Sequence, residues 1–141
     1  MKPRVLVAAG NMDRFTAPWG AVALEEGDFI SIESNAAVLM DAAAEDITFA
    51  GYLINRKPET GYDEPDQAVI GIRGVLETDC TSADGSTYTF MSELMYGAEN
   101  SVATSSANTI AWVAKKPATT VTRLDILIDA PALGKFFGAT A

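Results

Sequence analysis

Apolar and charged residues alternate almost without error from Arg123 to Asp129, RLDILID. On a strand, Leu124, Ile126 and Ile128 point one way and Arg123, Asp125 and Asp129 the other, with Leu127 the one apolar residue on the charged face. The run predicts a half-buried strand, and the Pro, Gly and Phe-containing tail behind it makes it the closing strand of a small β domain. Its apolar face is expected to pack in the core with Trp112.

The same period recurs upstream in shorter pieces. Ala21 to Leu24, the turn EEGD and Phe29 to Glu33 predict a hairpin turning at Gly27. Asn35 to Asp46, NAAVLMDAAAED, supports either a helix started by an Asn cap or a continuation of strand. Ile47 to Ile54 is β-branched and aromatic, and NRKPETGYDEPDQ behind it is a polar loop broken by Pro58, Gly61 and Pro65. Val69 to Glu77 alternates around Gly71 and Gly74, where glycines within a strand indicate a bulge, a bend or close backbone packing.

Further on, TDCTSADGS is a turn-rich connection and Thr87 to Phe90 would place Tyr88 and Phe90 on one face. MSELMY fits a helical turn or a strand, NSVATSSAN is a surface loop by composition, and Thr109 to Ala114 is a strand with Trp112 and Ile110 sharing its core face. Seven or eight short strands joined by loops too short for crossover helices predict an all-β fold, a small antiparallel barrel or sandwich with little helix. The first twenty residues, interrupted by Pro3, Gly10, Pro18 and Gly20, predict an extended N-terminal arm. The expected organisation is arm 1–20, β-barrel domain 21–130 and C-terminal tail 131–141.

Length and charge narrow the function. A chain of 141 residues is one domain's worth and buries roughly two thirds of its extended surface without help from metals or disulfides. A net charge of −9 argues against nucleic acid, whose phosphates are bound by Lys and Arg. The single cysteine, Cys80, has no internal partner and reads as a small buried hydrophobe. The apolar run Val5 to Ala9 is shorter than a signal-peptide core and no stretch is long enough for a spanning helix, so a soluble cytoplasmic product is expected.

The residue types exclude much chemistry. There is no histidine, which removes the commonest general base and metal ligand, and one cysteine cannot build a thiolate zinc site. Carboxylates are plentiful, but Asp41 with Glu45 and Asp46, and Asp63 with Glu64 and Asp66, lie in loop contexts and read as solvated surface rather than as a glycosidase pair. DCTSADG lacks the calcium-loop ligands at Cys80 and Ser82 and reads as a turn, and GKFFG lacks the rest of a phosphate loop. No catalytic, cofactor or metal residues are therefore assigned, and no enzyme activity is expected. Phe15 and Trp19 in the arm either fold back onto the domain or anchor it in a partner, and Phe136 and Phe137 raise the same question.

The order of Gly27-Asp28 with FISIE, AGYLI at Ala50 to Ile54, GIRGVLET at Gly71 to Thr78, NTIAWVAK at Asn108 to Lys115 and TRLDILID at Thr122 to Asp129 resembles the small β-barrel (β-tulip-like) head decoration, or cement, proteins of tailed bacteriophages. The resemblance covers roughly Ala21 to Asp129. It implies a virion protein assembled in the host cytoplasm, binding the outside of the capsid, with the major capsid protein and further copies of itself as partners, commonly as a trimer at three-fold or quasi-three-fold positions. On that reading Lys2, Arg4, Arg14, Phe15 and Trp19 of the arm are the residues expected to meet the capsid, the cations offsetting the acidic body. Another virion β module, such as a tail or fibre component, and a small carbohydrate-binding module with Tyr52, Tyr88 or Phe90 as its platform remain open alternatives.

Overall fold

The computed structural model describes residues 3–20, 23–55, 67–98, 100–105 and 107–134. The described chain is β throughout, its only helical pieces being 3₁₀ turns such as Ala43–Thr48 and Gly85–Thr87. Eleven strands occur among the described residues: β1 (Arg4–Val7), β2 (Arg14–Pro18), β3 (Phe29–Glu33), β4 (Ala36–Leu39), β5 (Phe49–Leu53), β6 (Gln67–Gly71), β7 (Arg73–Cys80), β8 (Glu93–Ala98), β9 (Ser101–Thr104), β10 (Thr109–Val113) and β11 (Arg123–Asp129). They form two sheets, β1-β7-β11-β10-β8-β9 and β2-β6-β5-β3-β4. A short parallel pairing of β7 with β9 at Asp79, Cys80, Ser101 and Val102 closes five strands of the first sheet into a barrel. The small all-β barrel expected from the alternation is the fold observed.

The closing strand behaves as its pattern dictates. Leu124, Ile126 and Ile128 are buried, whereas Arg123, Asp125, Leu127 and Asp129 lie on the outer side. Their core partners include Leu76, Leu94, Val102, Ile110 and Val113, and the same core takes Phe29, Phe49 and Tyr52 from the second sheet. β5 is buried on both faces, because Ala50 and Leu53 point the other way into a second, smaller core with Ile30, Ala68 and Ile70. A strand covered on both sides has no reason to alternate, so AGYLI carries no period-2 signal.

Glycines between β6 and β7 serve close packing. The chain passes from one sheet to the other at Ile72, and the Tyr52 side chain lies against Gly71 and Gly74, where a Cβ would come within 2.5 Å of its ring and 2.3 Å of its hydroxyl oxygen respectively. The Tyr52 hydroxyl accepts from the Ala9 amide and donates to the Arg73 carbonyl, both at 2.8 Å. The two sheets are further tied by a buried polar knot. Asn100 donates from Nδ2 to Asp28 Oδ1 at 3.0 Å and accepts from the Phe29 amide at 3.3 Å, the Glu25 amide donates to Asp28 Oδ2 at 2.8 Å, and the Thr78 hydroxyl donates to the Asn100 carbonyl at 2.6 Å. Buried polar groups so satisfied fix a unique arrangement of the elements that carry them.

Several expectations are corrected. The described part of the expected arm, residues 3–20, does not stand apart from the sheets: β1 pairs with β7 and β2 with β6, since edge positions tolerate the flanking prolines and glycine. The turn expected at Gly27 is present, with Gly27 at φ 90° and the Asp28 amide donating to the Glu25 carbonyl at 3.1 Å, but among the described residues no preceding strand pairs with β3 to complete a hairpin there. The hairpin is β3-β4, turned by Ser34 and Asn35 at φ 51° and 62°, the paired left-handed conformation that two-residue hairpin turns use. Asn35 to Asp46 is strand β4 and then part of a 3₁₀ turn rather than an α-helix. Val69 to Glu77 is two strands, NSVATSSAN contains β9 with Ser101 and Val102 buried, and Thr87 to Phe90 is not a strand, Tyr88 being buried and Phe90 exposed. Most of the polar loop after Asn55, with Asp63, Glu64 and Asp66, and residues 135–141 with Phe136 and Phe137 lie outside the described residues.

Candidate functional site

The strands that share a register across the outside of the barrel bring together residues scattered through the sequence. Trp112 lies opposite Leu127, Leu127 opposite Val75, and Val75 opposite Val7. These four make one apolar row across β10, β11, β7 and β1. Trp112, Leu127 and Val75 are half-buried and Val7 is 58% exposed. Trp112 therefore does not pack in the core beside Ile110, as alternation predicts. A register shift between Thr109 and Ala111 against β8 changes the phase of β10, so that Ile110 and Ala111 are both buried and Trp112 turns outward beside Leu127.

Charged residues flank the row on both sides. Toward the Arg123 end, Arg123 pairs with Asp79 at 2.9 Å and with Glu77 at 3.4 Å, and Glu77 also takes Arg4 at 3.2 Å. Toward the other end, Arg73 pairs with Asp13 and, at 3.2 Å, with Asp129, and hydrogen bonding to Asp13 followed by the charge of Asp129 raises its pKa above the ordinary arginine value. Beyond Arg123 a groove of about 360 Å³ is lined by Lys115, Lys116, Thr120, Asp125 and Glu77. Exposed ion pairs contribute little stability each, typically below about 1 kcal/mol, but here they hold a mixed-charge border around an apolar centre, the layout of a protein contact surface.

Comparison with protein-family models, curated proteins and solved structures finds no match to this chain.

Of the five residues expected to meet a capsid, the four described are dispersed over two strands and the loop beyond them. Lys2 lies outside the described residues, and Arg4 stands on β1 with Glu77. Arg14 is exposed at the start of β2, its Nε donating to the Ala9 carbonyl at 2.9 Å. Phe15 and Trp19 are half-buried against the second core, Trp19 bridging to Ala37 of β4, which is the fold-back alternative for these aromatics. Tyr52 and Tyr88 are buried, which leaves Phe90 as the exposed member of the aromatic set considered for carbohydrate.

The acidic candidates have structural partners. Glu45 Oε1 accepts from the Asp41 and Ala42 amides at 2.6 Å and 3.0 Å, capping the 3₁₀ turn that follows, and hydrogen bonding to Glu45 raises the Asp41 pKa. Asp84 accepts from Ser86 within the turn after DCTSA, and that hydrogen bond lowers its pKa. Burial pushes the Cys80 thiol up, and it donates to the Ser82 carbonyl at 3.5 Å. No group of three or more acidic or cysteine side chains able to hold a metal occurs among the described residues.

Proposed function

We propose that this chain is a structural contact module of a virion, a decoration protein that binds the outer capsid surface and reinforces it. What supports the reading is the position of the segments that carry the resemblance: FISIE, AGYLI, GIRGVLET, NTIAWVAK and TRLDILID contribute strands of the barrel or of the sheet packed on it. A rigid barrel with a broad outer wall suits attachment, because several modest contacts made by linked copies add through effective concentration and need no deep pocket on any one of them.

In this reading the capsid is met by cations on an otherwise acidic chain. Arg14 is the best placed of the expected set, being exposed and holding no carboxylate among the described residues. The test is cosedimentation of the full-length protein with empty expanded capsids from the same source, with procapsids as comparison. Binding to expanded capsids, weakened severalfold by Arg14→Glu in a variant that still melts cooperatively, is the expected result. Absence of binding to either particle would remove the reading.

A further inference from the structure

We infer that the outer wall carrying Val7, Val75, Leu127 and Trp112 is covered by a second copy of this chain. Two independent observations converge on that wall. The first is apolar exposure. Among the described residues the exposed large apolar side chains are Leu6, Val7, Met12, Ile47, Phe90 and Met91, and all but Ile47 belong to segments that border this wall. Leu6 and Val7 are on β1, Met12 precedes the Asp13 that pairs with Arg73, and Met91 is held to β10 by its amide donating to the Val113 carbonyl at 2.8 Å. Apolar residues gathered around one wall mark a contact surface, whereas single ones scattered over a surface do not.

The second observation is charge, and it selects the occupant. The wall and its border hold Arg4, Arg73, Lys115, Lys116 and Arg123 against Asp13, Glu77, Asp79, Glu93, Asp125 and Asp129. Five cations against six carboxylates leave one net negative charge, whereas the whole chain carries −9. Among the described side chains the charges off this wall are one cation, Arg14, against seven carboxylates, Glu25, Glu26, Asp28, Glu33, Asp41, Glu45 and Asp84, so most of their excess negative charge lies away from the wall. Two copies of so acidic a chain repel one another in most orientations, and a nearly neutral wall of mixed charge is a face on which that repulsion is small. A strongly basic partner would gain more from the remaining surface than from this one.

This inference deepens the self-association within the proposed function, but its test does not involve the capsid, so the two can fail separately. The mass of the full-length protein is measured by sedimentation velocity across a concentration series, for the wild type, for Val7→Lys and for Leu127→Lys. The expected result is a wild-type mass that is a multiple of 14.9 kDa, with each variant raising the dissociation concentration at least tenfold while retaining the far-ultraviolet circular dichroism of the wild type. Val7 is at an exposed edge position, so Val7→Lys serves if Leu127→Lys fails to fold. A wild type that stays monomeric at every concentration overturns the proposal and leaves the wall to another partner. Folded variants that assemble as tightly as the wild type overturn it too.

Discussion

The residue that most constrains how the sheets meet is Asn100. It sits in the turn between β8 and β9 at φ 53°, a left-handed conformation that Asn tolerates better than most residues. From there its amide reaches Asp28, a buried carboxylate that precedes β3 in the other sheet. Replacing Asn100 by Ala removes a charge-assisted donor, exposes the Phe29 amide to a lost partner and places Ala at positive φ. Hydrogen bonds to charged groups contribute roughly 1.5–3 kcal/mol, and a buried group left unsatisfied costs about as much again. Asn100→Ala is therefore expected to lower unfolding stability by about 3 kcal/mol, read as a lower denaturant midpoint at an unchanged slope. A loss under about 1 kcal/mol would show that the knot contributes little. Nothing in the sequence marks Asn100 or Asp28 for this role, since each sits in a stretch that reads as a turn and their pairing spans 72 positions.

At the level of elements, the legible parts of the fold are those buried on one face only. RLDILID reveals its strand, its core face and its outward charges because water lies on one side and Ile126 and its neighbours on the other. AGYLI shows no such pattern because both its faces are covered, and β10 misleads because its register shift reverses the face of Trp112. The β3-β4 hairpin escapes notice for a different reason: Ser-Asn at its turn is a weak form of the Asn-Gly signal that such turns prefer. The double substitution Ser34→Asn, Asn35→Gly supplies residues that adopt positive φ with less strain, and should stabilise the protein by about 0.5–1 kcal/mol. A rise of a few degrees in the thermal midpoint is the expected readout, and an unchanged or lower midpoint would argue that the turn is not under strain. The outward row behind the candidate surface was half legible. Leu127 stands out in the sequence as an apolar residue on a charged face, but its neighbours Val75, Val7 and Trp112 are joined to it by register alone.

For the whole molecule, the N-terminal segment decides whether recognition and folding can be separated. An arm reaching toward a partner could be removed without loss of the domain, but here residues 3–18 contribute strands to both sheets. Val5 packs against the barrel core, Ala9 is buried with its amide on the Tyr52 hydroxyl, and Phe15 and Ala17 pack in the second core. Asp13 adds its ion pair with Arg73. Full burial of one large apolar side chain stabilises by roughly 1.5–3 kcal/mol, so the partly buried Val5 and Phe15 with two alanines and the lost strand pairings amount to several kcal/mol. A domain's entire stability is about 5–15 kcal/mol. Deleting residues 1–18 is thus expected to abolish the cooperative thermal transition, or to lower its midpoint by well over 10 °C, as measured by circular dichroism. Retention of a wild-type melting curve would show the segment to be an appendage after all, and would restore truncation as a clean test of capsid attachment. If the transition is lost, point variants such as Arg14→Glu are the means of testing attachment without dismantling the barrel, because they alter the charge presented outward and leave both strands in place.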